Sequence, residues 1–277
     1  YSPKLDWVSF DHEGNIWFDV TFELWRFNVV EKKLGSDADI EFLQSILRQV
    51  RVQNPHFLRE DENVSVKTYL DMPLEWGWGS SSSLLYNISQ WAYVSPFELS
   101  DKVMLGSGYD IACAQSSGPI VYKRGHQGPS WETVTVSWPF LNNLYLVYLG
   151  KKQNTQNQIE AFHKNNLALS GNIIDKISDI TLKLVSAKDL AEFMLLLETH
   201  EAIVSSVLDK PTLKESRFSD FNGTIKSLGA WGGDFALIAS TLNFEEVSDY
   251  FEFKGLKDVF RFSQLCSFDS TAPLIIP

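Results

Sequence analysis

Ile16, Phe18, Val20, Phe22 and Leu24 alternate with Trp17, Asp19, Thr21 and Glu23 behind the turn-forming Glu13-Gly14-Asn15, and this two-residue period predicts a long strand with one buried face. Ser36 and Asp39 then stand three apart, as in a capping box, ahead of Ile40, Leu43, Leu47 and Val50, which share one face at helical spacing. Alternation returns at Val64, Val66, Thr68 and Leu70 and leads into Pro73. The run Gly77-Trp78-Gly79-Ser80-Ser81-Ser82-Ser83 passes directly into Leu84, Ile88 and Trp91 at helical spacing. A second glycine-rich turn, Gly106-Ser107-Gly108-Tyr109-Asp110, precedes Ile120-Val121-Tyr122 and the alternating Val134, Val136 and Trp138, which predict further strands of the same sheet.

Beyond the apolar run at residues 144–149 and the polar stretch at residues 151–158, the texture becomes helical. Ile174, Ile177 and Leu184 form one amphipathic face, Leu190, Met194, Leu197 and Val204 another, and residues 244–253 a last helix. A third glycine-rich segment, Gly229-Ala230-Trp231-Gly232-Gly233-Asp234, separates two apolar stretches. Strands first and helices later predict an α+β chain with a boundary between about 140 and 155, taken as domains 1–145 and 146–277.

The length, 277 residues with 44% hydrophobic and 21% charged, suits one large domain or two ordinary ones and excludes disorder. Lys+Arg 24 against Asp+Glu 35 leaves a formal charge of −11, so no global basic field draws a nucleic acid or an anionic membrane. Any phosphate is therefore held locally. Cys113 and Cys266 are too few for a disulfide framework or a Cys-rich metal site. No apolar run nears the roughly 20 residues of a membrane helix and no cationic, then apolar, leader opens the chain, so the expectation is a cytoplasmic protein without membrane or nucleic-acid partners.

Gly77 and Gly79 permit positive φ and close backbone approach, and the free N–H groups of a helix start, aided by its macrodipole, bind phosphate. The serine hydroxyls add hydrogen bonds or a ligand for Mg²⁺. The same residues also suit a solvated Ser-rich loop with an ordinary cap. Their combination with the other turns narrows the choice. In order and spacing, Pro73-x-x-x-Gly77-x-Gly79-Ser80-Ser81, Ser107-Gly108-Tyr109-Asp110 and Gly229-Ala230-Trp231-Gly232-Gly233-Asp234-Phe235 resemble the three motifs of the GHMP kinase superfamily, and Gly108-Tyr109-Asp110-Ile111-Ala112 resembles the signature of its GYDIA branch.

The resemblance implies a two-domain α+β fold, with an N-terminal domain like ribosomal protein S5 domain 2 and a ferredoxin-like C-terminal domain. It implies ATP and Mg²⁺ as cofactors. Gly77, Gly79, Ser80, Ser81, Ser82 and Ser83 would wrap the ATP phosphates, with Ser81 on Mg²⁺ and Glu98 as the acidic metal ligand. Asp110 falls on the catalytic aspartate, and Gly229, Gly232 and Gly233 keep backbone close to the phosphates. Trp78, Ser82, Trp231 and Asp234 depart from the residues common there. The first motif, an N-terminal hairpin with a lysine, has no counterpart, so the N-terminal domain is expected to lack that hairpin or the activity to be altered.

The implied function is phosphorylation of a small anionic hydroxy acid or its phosphate, most like mevalonate or phosphomevalonate kinase and a place in isoprenoid biosynthesis, with homodimerisation left open. A sugar kinase of the same superfamily and a non-catalytic nucleotide-binding or regulatory protein remain alternatives. Other motifs are weaker. His200-Glu201 begins like a zinc-protease helix, but Val204 occupies the second histidine's place, which leaves a polar pair on an amphipathic helix. Cys113 lacks a nearby histidine and reads as a small buried residue. Trp76, Trp78 and Trp91 read as core, although two flank the glycine run and are placed to meet adenine. Lys123-Arg124 reads as a solvated strand end or as charge for an anionic acceptor.

Overall fold

Alternation and capping place the first elements where the pattern predicts them. The computed structural model describes residues 2–59, 62–104, 106–125, 127–150, 171–229 and 233–266. The chain divides into two units, Tyr1–Gln115 with Tyr122–Ser130, and Ser116–Val121 with Trp131–Pro277.

The first unit is built on a four-stranded sheet of β1 (Lys4–Phe10), β2 (Ile16–Glu23), β3 (Val29–Leu34) and β4 (Val64–Tyr69) in the order β3-β2-β1-β4. β1 and β2 form an antiparallel hairpin around Gly14, whose φ of 83° fits the tight turn. β4 runs parallel to β1, a pairing that requires a crossover, and α1 (Asp37–Gln53) supplies it. Ser36 caps α1 by accepting from the Asp39 N–H at 3.1 Å. Ile40, Leu43, Ile46, Leu47 and Val50 of α1 are buried in one core with Leu5, Trp7, Phe18, Val20 and Phe22 of the sheet. Three further helices, α2 (Ser80–Trp91), α3 (Pro96–Val103) and α4 (Tyr109–Gln115), pack on one another and add Leu85, Ile88, Leu99 and Ile111 to that core.

The second unit carries an antiparallel sheet of β7 (Leu144–Tyr148), β8 (Thr224–Ser227), β9 (Phe235–Ala239) and β10 (Val259–Arg261), ordered β10-β7-β9-β8. Helices α5 (Gly171–Val185), α6 (Leu190–Leu208) and α7 (Leu213–Arg217) lie between β7 and β8, and α8 (Phe244–Phe253) lies between β9 and β10. A short α9 (Phe262–Leu265) follows, so residues 244–253 are not the last helix. With its fourth strand beside the first and its third beside the second, this is the ferredoxin-like arrangement. Among the described residues no helix is long and apolar enough to cross a membrane.

Three expectations need correction. β5 (Ile120–Gly125) and β6 (Gly128–Thr133) form a two-stranded sheet of their own, and Val134, Val136 and Trp138 form no strand. Alternation reports a half-buried face, not the partner that buries it. Trp138 finds that partner in a helix, with its ring 4.8 Å from Phe193 and its indole N–H donating to the Leu184 carbonyl at 2.9 Å. The helical texture of the second half conceals the sheet, because β8 and β9 are short and buried on both faces and carry no alternation. On α6 the buried residues are Phe193, Leu197 and Glu201 rather than the stripe through Leu190, Met194 and Val204. On α2, likewise, Leu85 and Ile88 are buried, while Trp91 is exposed.

Leu47 is fully buried between α1 and the sheet. Leu47→Ala should destabilise the protein by about 2–5 kcal/mol, the usual cost of a large-to-small change in a packed core. The measurement is the shift in denaturant midpoint at constant slope.

Candidate functional site

Five of the described helices begin on a side-chain cap. Ser36, Ser95, Asp189, Thr212 and Asn243 each accept a backbone N–H in the first turn of α1, α3, α6, α7 and α8. α2 does not. Its N-cap is Gly79 in the left-handed region at φ 79°, with no side-chain cap, and Gly77 two residues earlier is left-handed at φ 68°. The first N–H groups of a helix have no partner within it, and here no capping side chain replaces that partner. A Cβ added at Gly79 would meet nothing within 4 Å, so open space adjoins the helix start. Ser81 and Ser83 are exposed there, Ser80 is half-buried, and Ser82 is buried on the packed side with Leu85 and Ile88. Open space, unpaired donors and a positive helix end fit a phosphate, and the exposed Ser81 hydroxyl fits a hard cation beside it. Trp76 and Trp78, half-buried, flank the turn with ring centres 5.1 Å apart.

Asp110 stands in the first turn of α4, behind Gly108 at φ 83°. The preceding turn is clamped by β5. The Tyr122 hydroxyl donates to the Ser107 carbonyl, and Arg124 donates to the Gly106 carbonyl at 2.7 Å and to the Asp101 carboxylate at 3.1 Å. A side chain at Gly108 would press on the Phe97 ring and the Tyr122 hydroxyl, both at 3.4 Å. Asp110 is half-buried; burial pushes its carboxyl pKa above the ordinary value, and a hydrogen bond from the Tyr109 side chain partly offsets the rise. Cys113, on the same helix, is exposed rather than buried. Glu98 is exposed in the first turn of α3, its N–H donating to Ser95 Oγ at 3.4 Å. The helices that carry Ser80 to Ser83, Glu98 and Asp110 thus pack together within the first unit.

Gly229 and Gly233 belong to the second unit, in the connection between β8 and β9; Gly229 is left-handed at φ 71°, and Gly233 is buried. Gly232, with Ala230 and Trp231, lies outside the described residues. At the base of this connection stands a charged cluster in which the His200-Glu201 pair meets Lys226. Lys226 Nζ on β8 donates to Glu201 Oε1 at 3.0 Å and lies 3.3 Å from His200 Nδ1, while Glu201 Oε2 accepts the Ser227 N–H at 3.3 Å. Glu201, one half of the polar pair read on an amphipathic helix, is only 3% exposed. One signal pointed here: Glu201 continues the four-residue spacing of Phe193 and Leu197, so it occupies a core position of the helix. Burial first, and the Lys226 charge second, push the His200 pKa down to about 4, so the ring is neutral near pH 7 and Nδ1 is free to accept from Lys226.

No family model matches the sequence, and no curated protein matches it. Solved structures do match in fold. The chain is similar to Streptococcus pneumoniae phosphomevalonate kinase in complex with phosphomevalonate and AMPPNP, at 15% identity over 93% of this chain and 87% of that one, with a TM-score of 0.63. A further structure of that S. pneumoniae enzyme matches at 17% identity over 80% and 83%, with a TM-score of 0.58. L. major mevalonate kinase in complex with R-mevalonate matches at 13% identity over 82% and 78%, with a TM-score of 0.54. At such identities the likeness is one of fold. The architecture is the two-domain α+β fold of the GHMP kinases.

His200 links the second unit to pH. Its folded pKa of about 4 lies below the ordinary 6.5, so between these values the unfolded chain binds more protons. The stabilisation is complete above pH 6.5 and is lost as pH falls toward 4. Melting temperature should drop across that window, and His200→Gln should flatten this part of the profile.

Proposed function

We propose that this chain is an ATP- and Mg²⁺-dependent small-molecule kinase, most like mevalonate or phosphomevalonate kinase and of the GYDIA branch of the GHMP superfamily. The observation that carries the reading is the uncapped start of α2 on two left-handed glycines, within a fold shared with such kinases and on a helix packed against that of Asp110. Bound Mg²⁺ would supply charge neutralisation of the transferring phosphoryl group. Ser81 and Glu98 are the residues proposed to hold it. The N–H groups at residues 80–82, left without a capping side chain, would hold phosphate oxygens without reorganisation, because the helix already aligns them.

Asp110 is the residue proposed to orient the acceptor hydroxyl and take its proton. Its half-buried carboxylate binds a proton more tightly than a solvated one, which suits a general base, and the clamp on residues 106–108 fixes where it starts. The acceptor proposed is a small anionic hydroxy acid or its phosphate, a choice supported by the R-mevalonate and phosphomevalonate bound in the similar structures. ADP release measured with mevalonate, phosphomevalonate, galactose and homoserine tests this directly. Turnover on mevalonate or phosphomevalonate supports the reading, turnover confined to a sugar replaces it with a sugar kinase, and calorimetric binding of Mg·ATP without ADP release from any acceptor overturns catalysis.

Gly79→Val forces a β-branched residue into the left-handed region and fills the space before the helix start. In the folded variant ATP affinity should fall at least tenfold, about 1.4 kcal/mol. An unchanged dissociation constant removes the phosphate from this turn.

Asp110→Asn should lower turnover by roughly 10² or more while ATP binding and melting temperature stay near wild type. Tyr109→Phe removes the hydrogen bond that lowers the Asp110 pKa, so the acid limb of the activity profile should move to higher pH. A limb that stays in place in Tyr109→Phe, or wild-type turnover in Asp110→Asn, contradicts the assignment.

A further inference from the structure

Four of the chain's seven arginines, Arg26, Arg48, Arg51 and Arg59, line a single cavity of about 290 Å³ in the first unit, with Trp25 and Phe27 in its wall. They converge from three places: the turn between β2 and β3, the C-terminal half of α1, and the segment after it. Some lysines and arginines elsewhere are matched, as in Lys32 with Asp37, Arg124 with Asp101 and Lys254 with Asp220. None of these four joins an ion pair among the described residues. In a chain of formal charge −11, that leaves a concentrated positive site without a counter-charge at contact among the described residues.

The four do not play one part. Arg51 is a strut. It donates to the carbonyls of Leu24, Trp25, Phe57 and Leu58 at 2.9, 2.6, 3.2 and 2.8 Å, and its guanidinium lies over the Phe27 ring. Arg48 donates through Nε to the Arg26 carbonyl and through Nη2 to Asn28 Oδ1, and Arg59 through Nε to the Pro55 carbonyl. Arg26 makes no side-chain hydrogen bond among the described residues. Arg26, Arg48 and Arg59 therefore each keep terminal N–H groups for a ligand, since a guanidinium carries five donors. Glu23, the carboxylate whose charge reaches Arg51, already accepts from the Trp25 and Arg26 N–H groups and from the Asn28 amide.

We propose that this cavity is an anion site that takes the phosphate group of a small phosphorylated organic molecule. Several guanidinium forks on different elements match the multiple oxygens and double charge of a phosphate better than the two oxygens of a carboxylate. Trp25 and Phe27 offer an apolar wall for the organic part. The volume lies at the small end of the range for ligand pockets, roughly 300–1,000 Å³, and the net charge repels large polyanions, so the occupant is a small molecule rather than a nucleic acid or an anionic membrane. The site is separate from the glycine turn. The end of α1 meets the C-terminal end of α2, where Asn54 Nδ2 donates to the Ala92 carbonyl at 2.8 Å and Phe57 packs on Trp91 at 4.8 Å. α2 is 12 residues long, about 18 Å at 1.5 Å per residue, so Gly79 lies at its far end. The inference does not depend on the kinase reading.

The test uses the whole chain labelled with ¹⁵N-arginine, whose Nε–H signals are followed during titration with phenyl phosphate and, separately, inorganic phosphate, without Mg²⁺. Saturable shifts of Arg26, Arg48 and Arg59 are expected, with Arg124, Arg217 and Arg261 unmoved. The double variant Arg26→Gln/Arg59→Gln, which spares the Arg51 strut, should weaken binding at least tenfold with the melting temperature preserved. Shifts that never saturate, that sodium chloride of equal ionic strength reproduces, or that persist in the double variant overturn the site. Phenyl phosphate should bind several-fold tighter than inorganic phosphate; equal affinities overturn the organic ligand and leave free phosphate as the occupant.

Discussion

A helix must dispose of the N–H groups of its first turn, and α2 begins without a capping side chain to take them. Five other helices close theirs with a serine, threonine, aspartate or asparagine. At Gly79 no side chain is present to do so, and the left-handed backbone at Gly77 and Gly79 turns the chain into the helix without placing a Cβ before it. The cost of glycine in place of a polar side chain at this N-cap is small, about a few tenths of a kcal/mol. The buried face of Leu85 and Ile88 offsets it through packing against the core of the first unit.

Glycine turns that leave room for a ligand have little side-chain surface of their own, so apolar packing cannot hold them. Both units use polar links instead. The turn before Asp110 is held through its carbonyls by Tyr122 and Arg124 of β5. In the second unit, Glu201 of α6 takes the Ser227 N–H at the end of β8 and is neutralised by Lys226, two residues before the connection reaches Leu228 and Gly229. A buried carboxylate of this kind is stable only with its cation in place. In each case a side chain from a regular element reaches the backbone next to a glycine turn.

The acidic balance of the chain gives these local arrangements their weight. At a formal charge of −11 the surface as a whole does not attract phosphate, and the local positive features are the end of a helix dipole at Gly79 and, separately, guanidinium groups gathered around Trp25. Both act over a few ångströms. An anion held at either place would therefore have to be small enough to fit close against it.

The elements with local causes were legible from the sequence. The period of β2, the Ser36 cap of α1 and the positive-φ glycines at 77, 79, 108 and 229 follow from interactions between residues two to four apart, which the sequence shows side by side. The α+β class and the glycine turns were readable for the same reason. Tertiary structure alone decided that β5 and β6 leave the first sheet, that Tyr122 reaches Ser107 across 15 residues and Arg124 reaches Gly106 across 18, and that Glu201 meets Ser227 across 26. It also gathered Arg26 and Arg59 into one cavity. Those partners are set by which elements the topology lays side by side, and a periodicity within one element carries no information about what another element brings to it.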